Sequence, residues 1–524
     1  MSRTRKAVIA AGFGYAQFGL ALIIGIVLVP LMLDRLGART WGLWLATGEL
    51  LAYAGMVDLG VLGVLPWLLA EADGKRDRDG MRRLISSGVA VGALIGLAYA
   101  LIAFVLWQAL PSVLRLTAVD RAALGPPLTL IVAGTALTYP LRIFSAALIG
   151  LQDMKFHGAI RVGQSVLNVA VTVVLLLQGY GLYALVWASI VPTLAGVIAS
   201  AVRLRAVAPD LMTSWTRPAP KQLIPLIVDG FGVWLGGFGW LLLSSSNALV
   251  ITFLGHPEWV PIFSCTAKIS AAATQLVWLT PDSGLVGLAQ LHGEVNARPR
   301  VVHLVGVLQQ VHLLLAGAAA CAILAFNPTF VTHWVGGAMF GGLTLNALLA
   351  TGVVLYSLVH GVVSTASIVG SRVQVGILTV VNGLVQLAAA IVLGRWMGLS
   401  GVALAGLVAA CLTSLPVGLV LLTRAIDFSP WRLAADRVGP WARRMLPTAV
   451  TAMLIGVFRE WLGVWLAATA TGVVLLGYVW HMRPIYEAVV ALDPGWTRWL
   501  AMARLAPPLQ TDPGSGPLPA VNRS

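Results

Sequence analysis

Runs of twenty or more apolar residues recur along this chain from Val8 to about Val479, and nothing else in the sequence restricts its fold so tightly. A bilayer's hydrocarbon core, ~30 Å thick, is crossed by ~20 residues of α-helix. Without water, backbone N–H and C=O groups must pair within their own segment, so long apolar runs imply helices. The ~10-residue alternating pattern of a transmembrane β-barrel is absent. Composition agrees: 58% of residues are hydrophobic and 10% charged, where a soluble domain carries roughly 25% charged residues. The expected fold class is an all-α polytopic membrane protein of about fourteen transmembrane helices.

The spans are expected over 8–32, 41–69, 84–109, 124–150, 159–178, 181–203, 222–254, 259–291, 301–325, 339–364, 374–393, 399–423, 445–458 and 461–480. Arg3, Arg5 and Lys6 precede an apolar stretch of about 25 residues, longer than a cleavable signal's apolar region, so the first span is expected to stay uncleaved. After Tyr478 the character changes. Ile485 to Arg504, with Trp496, Trp499 and Leu500, is expected as an amphipathic surface helix. Pro507 to Ser524 has the composition of a disordered tail.

The formal net charge is +14. In a soluble protein that excess would point to nucleic acid, but here the basic residues sit in short loops between apolar runs, and no nucleic-acid partner is expected. About 26 of the 34 Lys and Arg residues lie at the N-terminus, in the even-numbered loops and in the tail, so both termini are expected in the cytoplasm. The cluster Lys75, Arg76, Arg78, Arg82 and Arg83 is one of these loops. Cys265, Cys321 and Cys411 all fall inside apolar runs, so no disulfide framework is expected. There is no CxxC pair, zinc spacing or Walker motif, and the eight histidines show no ligand spacing. No catalytic site, metal or cofactor is expected, and the chain is not expected to be an enzyme.

An internal repeat is visible. Leu36-Gly37 is followed by Trp41 and Trp44, and Leu254-Gly255 by Trp259 and Phe263, an offset of 218 positions from Gly37 to Gly255. A parallel six-plus-six repeat places a pseudo-two-fold axis along the membrane normal, with a central cavity between two bundles. The organisation that follows is an N-terminal lobe at 1–204, a basic linker at 205–221, a C-terminal lobe at 222–424, two extra helices within 425–480 and a cytoplasmic tail at 481–524.

Ionisable residues inside spans are costly and therefore functional candidates. In the first lobe these are Glu49, Asp58 and Arg142; in the second, Asp229, Lys268 and Asp282. Asp58, beside Gly60, could equally make a structural helix–helix hydrogen bond. Arg142 follows Pro140, where a proline-freed backbone could bend the helix; its bidentate fork suits phosphate or carboxylate, although a snorkelling position at the helix end is an equal reading. Asp229 has Gly230 and Gly232 beside it, which would allow a bend. Lys268 falls near mid-membrane. Asp282 follows Thr280-Pro281, where a break is expected, and lies four turns from Lys268 on the same face. Gln17, Gln164, Gln309, Gln310, Asn382 and Gln386 could line a polar lumen or bond between helices. Trp41, Trp44, Trp67, Trp259 and Trp334 read first as interfacial belts.

Leu36-Gly37-Ala38-Arg39-Thr40-Trp41-Gly42-Leu43-Trp44, then Asp58-Leu59-Gly60, then Leu69-Ala70-Glu71 resemble the N-terminal signature of Wzx-type bacterial polysaccharide (O-antigen) flippases. Ala147 to Gln152 and Gly398 to Ala403 resemble later motifs of that family, so the likeness extends over the first twelve spans. The family lies in the multidrug/oligosaccharidyl-lipid/polysaccharide exporter superfamily. The resemblance implies alternating access by two lobes that carry a polyprenyl-diphosphate-linked oligosaccharide from the cytoplasmic to the outer leaflet, with polymerase and export proteins as partners. It also implies that Arg142, Lys268 and Gln17 meet the diphosphate or glycan and that Glu49, Asp58, Asp229 or Asp282 binds a coupling ion. Departures are Pro257 and Pro261 around Trp259 and the few charges on second-lobe helices. A multidrug or metabolite antiporter of the same fold, a flippase for the peptidoglycan precursor, and a membrane-embedded glycan-assembly enzyme or scaffold are the alternatives.

Overall fold

A computed structural model describes residues 3–113, 116–212, 220–292, 294 and 298–490, and among them every regular element is helical. In the first half, α1 is Arg3–Leu36, α2 Ala38–Gly55, α3 Val61–Gly74, α4 Arg78–Val113, α5 Ala118–Thr138, α6 Arg142–Gly150, α7 Met154–Leu177 and α8 Leu182–Val207. In the second, α9 is Pro220–Ser244, α10 Asn247–Phe253, α11 Trp259–His292, α12 Arg298–Val335, α13 Leu343–Val369, α14 Arg372–Met397, α15 Leu399–Ala409 and α16 Leu415–Ile426. The short α17 Pro430–Arg432 leads to α18 Gly439–Val457, α19 Arg459–His481 and α20 Arg483–Val490.

Ten helices are long and apolar enough to cross a membrane, and three bent pairs raise the number to 13. The fourteenth expected span is α18, whose 19 residues reach ~28 Å despite Arg443, Arg444 and Pro447 in its first turns. Leu94, Leu97, Leu101 and Phe104 form an outward stripe on α4, at the spacing of one helix face. Such a surface is stable against lipid and not against water. On α19, Trp461 and Trp480 are 89% and 73% exposed. The backbone breaks at Gly463, where φ is 65° and ψ 175°, so Trp461 stands before the continuous helix that carries Trp480, and both rings have the exposure of interfacial tryptophans.

The three bends each have a local cause. Between α2 and α3 (43°), Leu59 and Gly60 take left-handed φ values of 49° and 78°, and the Asp58 carboxylate accepts the Gly60 N–H at 3.0 Å, an Asx-type turn. Between α5 and α6 (42°) stands Pro140, which lacks an N–H for the ladder. Between α9 and α10 (49°) the pair Ser245-Ser246 interrupts the helix, with Ser246 Oγ donating to Leu242 O at 2.6 Å. Two π-helical stretches, Ala410–Ser414 and Leu433–Val438, each end two residues before a proline, Pro416 and Pro440. A missing proline N–H leaves a carbonyl free one turn earlier, where the ladder shifts register.

Two sequence expectations are corrected here. The helix does not break at Pro281: α11 runs unbroken from Trp259 to His292. The bend that Gly230 and Gly232 would allow is found instead at Ser245-Ser246, and Gly230 packs against the backbone of Leu59, Gly60 and Val61. The span expected at 301–325 also extends, as α12, from Arg298 to Val335.

The repeat appears in the backbone. Gly37 and Gly255, before α2 and α11, both have positive φ, 74° and 95°. Gly181 and Gly398, before α8 and α15, have φ/ψ of 55°/−132° and 59°/−136°. The second pair is 217 positions apart and the first 218. Helices α7 and α8 pack together, as do α14 and α15, while α11, α12 and α13 form a tight group in the second half. The extra pair α18–α19 docks on α12, where Gly317, Ala316, Ala320 and Cys321 offer a small-residue surface. There Tyr478 donates to Leu314 O at 2.8 Å and accepts from Trp441 Nε1 at 3.2 Å.

Call the face where α2 begins distal and the opposite face proximal. The halves meet distally through α2 with α10 and α11, and through α1 with α12. Gly42 abuts the Pro257 carbonyl, Arg39 reaches Glu258 at 3.8 Å, and Trp334 Nε1 donates to Ile26 O at 2.6 Å. Proximally the bend at Gly60 meets α9: Gly60 and Gly230 pack backbone to backbone, and Trp234 Nε1 donates to Met56 O at 2.7 Å.

Candidate functional site

A cavity of about 650 Å³ lies among α1, α2, α7 and α8, and one side chain of the second half, Lys268 of α11, joins its wall. The ammonium reaches across to α1, against the backbone of Gly25, where a Cβ would overlap it. On α7 the positions Arg161, Gln164, Ser165 and Asn168 line the same space. They fall at i, i+3, i+4 and i+7, one polar face of an otherwise apolar helix.

Part of that face serves α8. Pro192 leaves the Ala188 carbonyl without its helical N–H partner, and Asn168 Nδ2 donates to that carbonyl at 2.6 Å. Gln164 Nε2 donates to Pro192 O at 3.1 Å. Fixed in this way, α7 presents Arg161 to the cavity one turn before Gln164. Trp41, Trp44 and Met32 close the distal end. Among the described residues no Asp or Glu lines the cavity, and its two formal charges, Arg161 and Lys268, are both positive. No carboxylate lies within ion-pair distance of Lys268 or Arg161 among the described residues. Such a chamber attracts anions, and its volume falls in the ~300–1,000 Å³ range of small-molecule sites.

The remaining sequence candidates lie elsewhere. Asp58 and Arg142 come together at the first half's two bends, close enough for their charges to interact. Arg142 stacks over the Tyr139 ring at 4.5 Å and does not line the cavity. Glu49 caps α10: its carboxylate accepts the Leu249 N–H at 2.9 Å, and one turn on Tyr53 bonds Ser246 at 2.6 Å. Asp282 does not share a direction with Lys268. It pairs with His360 of α13 at 2.9 Å, inside the second half. The side chains of Gln17 and Asp229 lie outside the described residues, as does the chain from 491 onward.

Sequence reasoning missed Arg161, counting it with the loop charges, although the polar face at positions 161, 164, 165 and 168 was a readable signal. It also missed His312 and His360. Their spacing carries no ligand pattern, yet α12 and α13 bring both beside Asp282.

No family model matches the chain, and no curated protein matches it. Solved structures do. An inward-facing multidrug-resistance MATE transporter of the MOP superfamily aligns at a TM-score of 0.61 and 16% identity, over 81% of this chain and 99% of its own. The lipid II flippase MurJ in an inward closed conformation aligns at 0.62 and 11% identity, over 91% and 100%. The fold is that of the MOP-superfamily transporters. A eukaryotic MATE transporter aligns at 0.51 and 15% identity, over 84% and 98%. The multi-pass membrane architecture therefore stands on the helices themselves and on this shared fold.

Proposed function

We propose that this protein is a bacterial inner-membrane flippase that carries a polyprenyl-diphosphate-linked oligosaccharide from the cytoplasmic to the outer leaflet, both its termini being cytoplasmic. The observation that carries the reading is the cavity whose only formal charges among the described residues are Lys268 and Arg161, contributed by opposite halves. A diphosphate bears about two negative charges, and its unaided passage through hydrocarbon is prohibitive. Two unpaired cations match that charge, and cations from opposite halves let a bound anion bridge the parts that must move against each other. Lys268 keeps the role expected of it, Arg161 takes the one expected of Arg142, and the polyprenyl tail stays in lipid. Inward movement of a cation would add ~2.3 kcal/mol per charge per 100 mV.

The MurJ alignment covers 91% of the chain where the MATE alignment covers 81%, which also favours a lipid-linked substrate. The antiporter alternative is weakened by the same cavity: a cationic drug would meet two positive charges and no carboxylate.

The test uses liposomes holding the purified protein and a fluorescent polyprenyl-diphosphate oligosaccharide, with a membrane-impermeant quencher reporting crossing. Wild type should exceed empty liposomes, and Lys268→Ala and Arg161→Ala should each slow crossing about 10- to 100-fold, as loss of a charged hydrogen bond of ~1.5–3 kcal/mol implies. Crossing no faster than in empty liposomes for several glycans, with the protein folded, would overturn the proposal.

A further inference from the structure

Three helices of the second half bring Asp282 of α11, His312 of α12 and His360 of α13 together, so that one ligand atom from each lies within 4.8 Å of the others. His312 is 1% exposed. Its Nδ1 lies 2.8 Å from the Leu308 carbonyl. A carbonyl only accepts, so the ring proton is on Nδ1 and the Nε2 lone pair is free. That Nε2 is buried and has no hydrogen-bond partner, a costly state for a polar atom. His360 Nε2 lies 2.9 and 3.1 Å from the two Asp282 oxygens and 3.4 Å from Ser364 Oγ. Trp278 stacks on the His360 ring at 4.0 Å and 4°, which holds the ring's plane.

We propose that Asp282, His312 and His360 bind one divalent transition-metal ion of the zinc class. Two imidazoles and a carboxylate suit Zn²⁺, Co²⁺ or Ni²⁺ and not Mg²⁺ or Ca²⁺, which take oxygen ligands. A ring N–H donated to a backbone carbonyl is the usual support of a metal-bound histidine, and His312 already has it. In a tetrahedral site of ~2.0–2.1 Å bonds, ligand atoms stand ~3.3 Å apart. The His360–Asp282 pair already meets that spacing, and His312 needs a side-chain-scale movement. As the ion takes the place of the proton on His360 Nε2, the ring changes tautomer: that proton is lost to water while Nδ1 takes one up, so the ligand stays a neutral imidazole. Asp282 and His360 are 39% and 22% exposed, so the ion has a way in and water can fill the fourth position. The ion would tie α11 to α12 and α13, and α11 is the helix that carries Lys268. The proposal does not depend on the substrate of the cavity.

The full-length protein, purified without a polyhistidine tag, would be titrated with Co²⁺. The visible absorption of four- or five-coordinate Co²⁺ should saturate at one equivalent and vanish on adding Zn²⁺. His312→Gln and His360→Gln should abolish it, and Asp282→Asn should weaken binding at least 10-fold. Thermal unfolding covers variants that fold poorly: Zn²⁺ should raise the melting temperature of wild type and leave that of His360→Gln unchanged. No saturable absorption, or an undiminished one-equivalent signal in both histidine variants, would overturn the site.

Discussion

Gly60 shows how much one residue can decide in this molecule. Its φ of 78° favours glycine, and a Cβ there would overlap the Gly230 carbonyl of the other half. Left-handed backbone costs an ordinary residue ~1–2 kcal/mol, and the overlap adds to that. Gly60→Ala should therefore lower the melting temperature and impair transport, whereas Gly236→Ala, with open space around its Cβ position, should leave both unchanged; thermal unfolding of the two variants in detergent decides the matter. Lys268 is the complementary case, a side chain whose proposed effect is charge. Lys268→Arg should keep most of the flipping rate and Lys268→Gln should lose it about 10- to 100-fold. Equal loss in both would mean that packing against Gly25, and not charge, is what matters there.

At the scale of elements, the interrupted helices carry the contacts between halves. Glu49 of α2 accepts the Leu249 N–H at the start of α10, supplying from across the interface the cap that Ser246 does not provide. If capping is its role, Glu49→Gln, whose amide oxygen still accepts, should keep stability and transport. Glu49→Ala should cost about 1 kcal/mol, the usual value of a lost cap. Transport lost in Glu49→Gln with stability intact would instead mark Glu49 as a coupling acid. The docking of α18–α19 rests on a different device, close approach at Gly317, where a Cβ would meet the Tyr478 hydroxyl. Gly317→Leu should loosen that pair and raise its proteolytic sensitivity, while leaving the first half protected.

For the whole molecule, the distal contacts join the two halves: Gly42 with Pro257, Arg39 with Glu258, and Trp334 with α1. The proposed flippase, working by alternating access, requires these contacts to part. In a background with the exposed Cys411 replaced by serine, Arg39→Cys and Glu258→Cys joined by a short bis-maleimide should stop flipping, while the unlinked double variant still transports. Undiminished flipping at complete cross-linking would show that the distal face need not open. The same contacts involve the Leu36-to-Trp44 segment and its repeat at Leu254 to Phe263. Each glycine turn starts the helix whose first residues meet the opposite half.

The sequence by itself determined the class, an all-α membrane protein, because hydrocarbon leaves a backbone no other way to satisfy its polar groups, and it located thirteen of the fourteen expected spans where single or bent helices long and apolar enough to cross a membrane lie. Local chemistry also made the bend at Pro140 legible, and the 218-residue offset was visible in pairs of glycines and aromatics. What only the tertiary structure decided was which polar side chains meet. Arg161 looked like a loop charge until α1 and α8 closed a cavity around it. His312 and His360 had no spacing to link them until α12 packed against α13. Asp282 and Lys268, four turns apart on one helix, met different neighbours, because Lys268 reaches Gly25 of α1 across the cavity while Asp282 meets His360 of α13. Periodicity records the face a residue occupies, whereas a site depends on which helix covers that face, and many weak packing contacts distributed along the chain set that choice.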